Sequence, residues 1–195
     1  MSLLYLNKIP DTEQAAFAAK LAGIAAELKA DPNWLMQVMW AESKLKSAAV
    51  NPKTGASGLI QFMPATAKGL GTSVEALRKM NAVQQLDYVR KYFLPYKGRM
   101  KSYYDVYSVV FFPALIGKPD SWVLQTSRLS AEIIAKQNPV VNIIKDSKIT
   151  VAEFKQYVFN SVEKLHRSTV FKTAAAGGAA IVGLLVFFCS SMISV

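Results

Sequence analysis

The chain carries no charged residue after Lys172. From Thr173 to Val195 it reads TAAAGGAAIVGLLVFFCSSMISV, a run of 23 residues. At about 1.5 Å of rise per residue, a helix of that length crosses the roughly 30 Å hydrocarbon core of a bilayer. The run therefore predicts a C-terminal transmembrane helix, since a core helix seldom runs so far without any charge. Within it Ala179 and Gly183 stand four apart, the small-residue spacing that admits a partner helix, and Cys189 reads as a small hydrophobe in lipid. Lys164, Arg167 and Lys172 precede the run and favour keeping the N-terminal part on the side where the chain is made. The opening MSLLYLNKIPDTEQ lacks the apolar stretch of a signal peptide. The expectation is a body tethered to a lipid bilayer through 173–195, without an export signal.

Composition narrows the classes. A chain of 195 residues allows one ordinary domain plus an appendage. With 52% hydrophobic residues and 11% aromatics it has ample material for a core, which excludes intrinsic disorder. A single cysteine excludes a disulfide scaffold and a Cys-based zinc site within one chain. A single histidine, His166, argues against a Ser-His-Asp triad or a multi-histidine metal centre. No metal and no cofactor is expected. The net charge of +10 points to an anionic partner. The basic residues are not interleaved with a nucleic-acid motif, so no nucleic-acid partner is expected.

The body reads as helices. Asp11–Ala30 carries Ala15, Ala18, Leu21, Ala22 and Leu28 on helical spacing. Asp31-Pro32 supplies an N-cap followed by a proline at the first helical position, and Trp34, Leu35, Val38, Met39 and Glu42 continue the pattern. That helix must end before Asn51-Pro52. Pro64 starts a short helix, Ser73 caps another, and Ala82–Phe93 repeats the period through Val83, Leu86, Val89 and Tyr92. Tyr103–Ile116 reads as a buried helix broken near Pro113. Strand alternation is scarce, so an all-α body is predicted. Residues 1–117 are taken as the catalytic-type domain, 118–172 as a helical extension and 173–195 as the membrane anchor.

The extension contains NIIKDSKITVAEF, the outline of an EF-hand calcium loop. Asn142, Asp146, Thr150 and Glu153 take the first, fifth, ninth and twelfth loop positions, with Ile149 on the apolar eighth. Ile144 at the third position offers no oxygen, and Ser147 stands where the sharp turn wants glycine. The loop reads as a calcium loop degraded to a structural turn, with Thr150 capping a helix from Val151 to Leu165.

The strongest local signal is Ala41-Glu42-Ser43, followed by a polar turn and then Gly58-Leu59-Ile60-Gln61-Phe62-Met63-Pro64-Ala65-Thr66-Ala67. This resembles the core of the SLT-type lytic transglycosylases, relatives of goose-type lysozyme. Their pattern is a Glu-Ser at a helix end, a turn, then Gly-Leu-Met-Gln-x-Met-Pro-x-Thr-Ala. The likeness covers roughly residues 30 to 117, with Ile60 in place of the Met, and the compact Asn-Pro turn is similar to phage versions. It implies a lysozyme-like fold, peptidoglycan glycan strands as substrate, and Glu42 as catalytic residue. The position suits an acid: burial beside Val38 and Met39 and the C-terminal end of a helix both favour the protonated carboxyl.

No second acid lies in or beside the motif; Glu75, Asp87 and Asp105 sit in unrelated helical contexts. Most glycosidases need two carboxylates, so the single Glu fits the family's transglycosylase chemistry, in which the substrate's own C6 hydroxyl attacks. As substrate-contacting positions the resemblance suggests Ser43, Asn51, Ser57, Gln61 and Met63. Ser57 or Asn51 would hold the Glu42 carboxyl or serve as turn residues, and Gln61 would bind a sugar amide or hydroxyl. The family's later Ala-Tyr-Asn-Ala-Gly is absent. Phe111 stands in the Tyr place, and Tyr107, one turn earlier, is the candidate substitute.

The expected function is a membrane-anchored lytic transglycosylase. The alternatives are a hydrolytic muramidase of the same fold and an inactive wall-binding protein. A wall enzyme with a tail anchor and no signal peptide fits a bacteriophage virion component, in a virion or host membrane, acting in infection or lysis.

Overall fold

The structure is a computed structural model that describes residues 2–171. The described residues are helical, joined by turns and by three isolated antiparallel bridges. The chain divides into two compact units, the first running to Ser102 and the second starting at Tyr103.

In the first unit, helix α1 (Asp11–Leu28) buries Phe17, Leu21, Ile24, Ala25 and Leu28, one stripe at helical period. It lies along α5 (Ala82–Phe93). Arg90 of α5 forks onto Glu27 of α1 with two 2.6 Å bonds, and Lys20 meets Asp87 at 2.8 Å. Helix α2 (Pro32–Ser43) starts as its sequence dictates: Asp31 accepts from the Asn33 N–H at 2.9 Å and Pro32 takes the first turn. An N-terminal strap covers it. Leu4 N–H donates to Asn33 Oδ1, the Tyr5 hydroxyl donates to Gln37 Oε1, and the Tyr5 ring stacks on Trp40 at 4.4 Å. Two short helices follow, α3 (Pro64–Gly69) and α4 (Val74–Lys79), the latter capped by Ser73. A capping box between Asn81 and Gln84 opens α5.

In the second unit, α6 (Tyr103–Phe111) stops where Pro113 forces Phe112 into extended backbone. Its Tyr107 and Phe111 rings pack on Phe154 of α8 (Val151–Ser161), at 6.1 and 5.3 Å between centroids. That packing draws residues 103–117 into the second unit, whereas the sequence reading ends the first domain at 117. The helix–loop–helix of the extension is present as α7 (Ala131–Gln137), the loop and α8. Helix α8 ends at Ser161, earlier than Leu165, and α9 (Arg167–Phe171) follows a separate short turn.

The loop uses its acid internally. Glu153 accepts from Thr150 N–H at 2.9 Å, Thr150 Oγ1 at 3.0 Å and Ile144 N–H at 3.1 Å, so both carboxylate oxygens serve a capping box and the loop backbone. Leu124 N–H donates to Ile149 O at 2.8 Å, which pins the apolar position of the loop. Neither millimolar calcium nor a chelator is expected to move the thermal midpoint. A clear calcium-dependent rise in a melting curve would contradict this account of the loop.

The transmembrane helix is corrected. Among the described residues no helix is long and apolar enough to cross a membrane, so the described body is all-α, as a lysozyme-like fold requires, and the expected spanning helix is not part of it. The run from Thr173 to Val195, with its small-residue pair, lies outside the described residues. Membrane attachment, a helix partner in lipid and delivery in a virion have no support in the fold.

Candidate active site

The end of α2 and the turn after it are built as one piece. Two successive left-handed residues, Lys44 (φ 56°) and Leu45 (φ 60°), stop the helix just after Glu42-Ser43. The chain then folds into two small antiparallel steps. Asn51 N–H donates to Ala56 O at 2.8 Å, and Ser57 and Phe62 exchange backbone bonds at 3.0 and 2.8 Å. Between the last two lies the tight turn Gly58–Gln61, which buries Leu59 and Ile60.

Ser43 joins helix and turn. Its buried hydroxyl lies 3.1 Å from Met39 O and 2.9 Å from Leu59 O, directed at both carbonyls. This is the physical reason for a Ser beside the Glu and a Gly-Leu in the turn: the small hydroxyl reaches across the gap that the Glu42 helix end leaves.

Helix α5 braces the turn from its other side through Gln85, which is fully buried. Gln85 Oε1 accepts from Leu59 N–H at 2.9 Å, while its Nε2 donates to Ser47 O at 2.6 Å and Leu77 O at 2.8 Å. Three segments thus hang on one amide. Arg78 of α4 adds a clamp, donating to Ser57 Oγ at 2.9 Å and Gly55 O at 3.3 Å.

Glu42 lies in the last turn of α2, next to Ser43. Both carboxyl oxygens are buried, and neither has a hydrogen-bond partner among the described residues. Burial pushes its pKa well above the ordinary carboxylate range. Such a group holds its proton at a pH where an exposed Glu has lost it, which is what a general acid requires.

The other predicted site residues are placed differently. Ser57 donates to Gly55 O at 2.9 Å and accepts from Arg78, so its hydroxyl braces the turn and does not hold Glu42. Asn51 accepts from Lys53 N–H and Thr54 N–H, an Asx turn. Gln61, at φ 52°, folds back to donate to Gly58 O at 3.1 Å. Met63 caps α3 by backbone alone, and Phe62 is core. Tyr107 belongs to the second unit, where it is buried beside Tyr103.

Two residues that the motif does not contain belong to the frame, Gln85 and Tyr92. Gln85 is one of two adjacent glutamines, and only the three-four periodicity of the buried face singles it out from Gln84. Tyr92 is edge-on to Phe62 of the turn, at 6.2 Å between centroids.

The model of the transglycosylase SLT domain family matches residues 22–88, which take in α2, the braced turn and most of α5. The chain carries an SLT-type transglycosylase domain. A domain of this family supports a lytic transglycosylase acting on peptidoglycan. No curated protein and no solved structure matches it at a significant level.

Proposed function

We propose that Glu42 is the single acid and base of this transglycosylase, cleaving between N-acetylmuramic acid and N-acetylglucosamine. The observation that carries the reading is the buried, unpartnered carboxyl at a helix end fixed to the motif turn through Ser43. Protonated Glu42 gives its proton to the glycosidic oxygen as the bond to the anomeric carbon breaks. The N-acetyl group of the muramic acid steadies the positive charge. Glu42, now a carboxylate, takes the proton of that sugar's C6 hydroxyl as its oxygen bonds to the anomeric carbon. The proton count closes on the enzyme, and the product is a 1,6-anhydro end formed without water.

The +10 net charge favours the anionic wall. The test is the pH profile of wall lysis. Because Glu42 must start protonated, the basic limb is expected above the ordinary carboxylate range. A limb at the value of an exposed Glu would remove Glu42 from the acid role.

A further inference from the structure

Between Asp87 and Asp105 the sequence has no acid and five bases, Arg90, Lys91, Lys97, Arg99 and Lys101. Neither the active-site frame nor the proposed cycle uses this stretch. Its first two bases are engaged: Arg90 forks onto Glu27, and the Lys91 ammonium stands 5.0 Å from the centre of the Tyr88 ring.

The turn after α5 is fixed against the end of α1. Gly98 N–H donates to Leu28 O and Arg99 N–H to Tyr96 O, both at 3.0 Å. Gly98 has φ 73°, and a Cβ built on it would stand 3.9 Å from Lys29 Cδ. Met100, fully buried, closes the turn. The Arg99 guanidinium lies 5.8 Å from the centre of the Tyr96 ring. Lys29 is the left-handed cap of α1, at φ 57°. Backbone bonds therefore bring Lys29, Lys97 and Arg99 to one place, and all three are exposed. The acids beside them are taken. Both oxygens of Glu27 bond Arg90, and Asp31 accepts from Asn33 N–H as the cap of α2. Among the described residues no salt bridge involves Lys29, Lys97 or Arg99. A helix C-terminus welcomes a cation. Three cations held on one turn repel one another, and a polyanion laid across them turns that repulsion into attraction.

We propose that Lys29, Lys97 and Arg99 form a docking face for the carboxylates of the peptide stems carried by the glycan strand. This rests on peptidoglycan as the substrate. An Arg fork suits a carboxylate, and repeated stems on one strand engage the three cations together. The face adds affinity for the polymer and leaves the chemistry at Glu42 unchanged.

The test measures cosedimentation of the full chain with sacculi stripped of phosphate polymers, in short incubations on ice. The triple variant Lys29→Gln, Lys97→Gln, Arg99→Gln is expected to bind about tenfold more weakly at low salt, the worth of three exposed charge contacts. A control triple, Lys68→Gln, Lys79→Gln, Lys136→Gln, takes the net charge from +10 to +7 as well and is expected to bind nearly as wild type. Sacculi whose carboxylates have been amidated with carbodiimide and ammonia should hold the wild type no better than the first triple. On short muramyl oligosaccharides without peptide, kcat/KM of the first triple should equal wild type. Lys29→Gln with Lys97→Gln alone, which leaves the Tyr96 contact in place, should shift binding in the same direction. Equal losses in both triples would overturn the proposal, since diffuse net charge explains them. So would full binding to amidated walls, or binding only to phosphate-bearing walls or to nucleic acid. A wild type that binds no wall at all sinks the peptidoglycan reading too, whereas wall binding that the first triple retains sinks the docking face alone.

Discussion

Glu42→Gln is expected to lower wall lysis by at least about a hundredfold, because the amide keeps the shape of the carboxyl but has no proton to give. Turbidity clearance of purified walls reads this directly. The same change is expected to help the fold, in a pH-dependent way. Burial raises the Glu42 pKa in the folded chain. As pH climbs past the ordinary carboxylate value, the unfolded chain releases this proton while the folded chain retains it. The unfolded state then binds fewer protons, so wild-type stability falls with rising pH through that interval. The Gln variant has no such term. Its thermal midpoint relative to wild type is therefore expected to rise from acidic to neutral pH. A difference that is flat with pH would mean that Glu42 is not buried as a proton-holding acid.

Gly58→Ala is expected to be the most damaging conservative change in the turn. Gly58 has φ +82°, in the left-handed region, and an added Cβ would stand 2.5 Å from Gln85 Oε1. A side-chain end often moves aside at little cost. Gln85 is held by three hydrogen bonds and accepts from Leu59, so its retreat would orphan buried backbone groups. Strain and an orphaned partner together suggest a loss of about 2–4 kcal/mol. The unfolding free energy should fall by that amount, read as a lower denaturant midpoint with little change in slope, and lysis should fall with it because Leu59 also anchors Ser43. An unmoved midpoint would show that Gln85 yields freely and is no brace.

Much of this frame was legible in the residues. Asp31-Pro32 opens α2 as capping rules require, and Pro113 breaks α6 where it must. Glu42-Ser43 and the Gly-Leu-x-Gln-x-Met-Pro run stand out by spacing alone. The partners of Ser57, Asn51 and Gln61 were not legible. A short polar side chain in a tight turn can bond the backbone or a neighbouring group, and the local dihedrals decide which. The positive φ of Gln61 sends its amide back to Gly58, and Arg78 reaches Ser57 across 21 residues. Gln85 braces the turn from a separate helix, so no local motif announces it. The charge-free run after Lys172 was the loudest signal in the sequence, yet it lies outside the described residues.

The most direct measurement is mass analysis of the muropeptides released from purified peptidoglycan by the full chain and by Glu42→Gln. The wild type should release fragments ending in 1,6-anhydromuramic acid, and the variant should release almost none. Fragments with only reducing ends, or undiminished release by the variant, would contradict a transglycosylase that works through Glu42 alone.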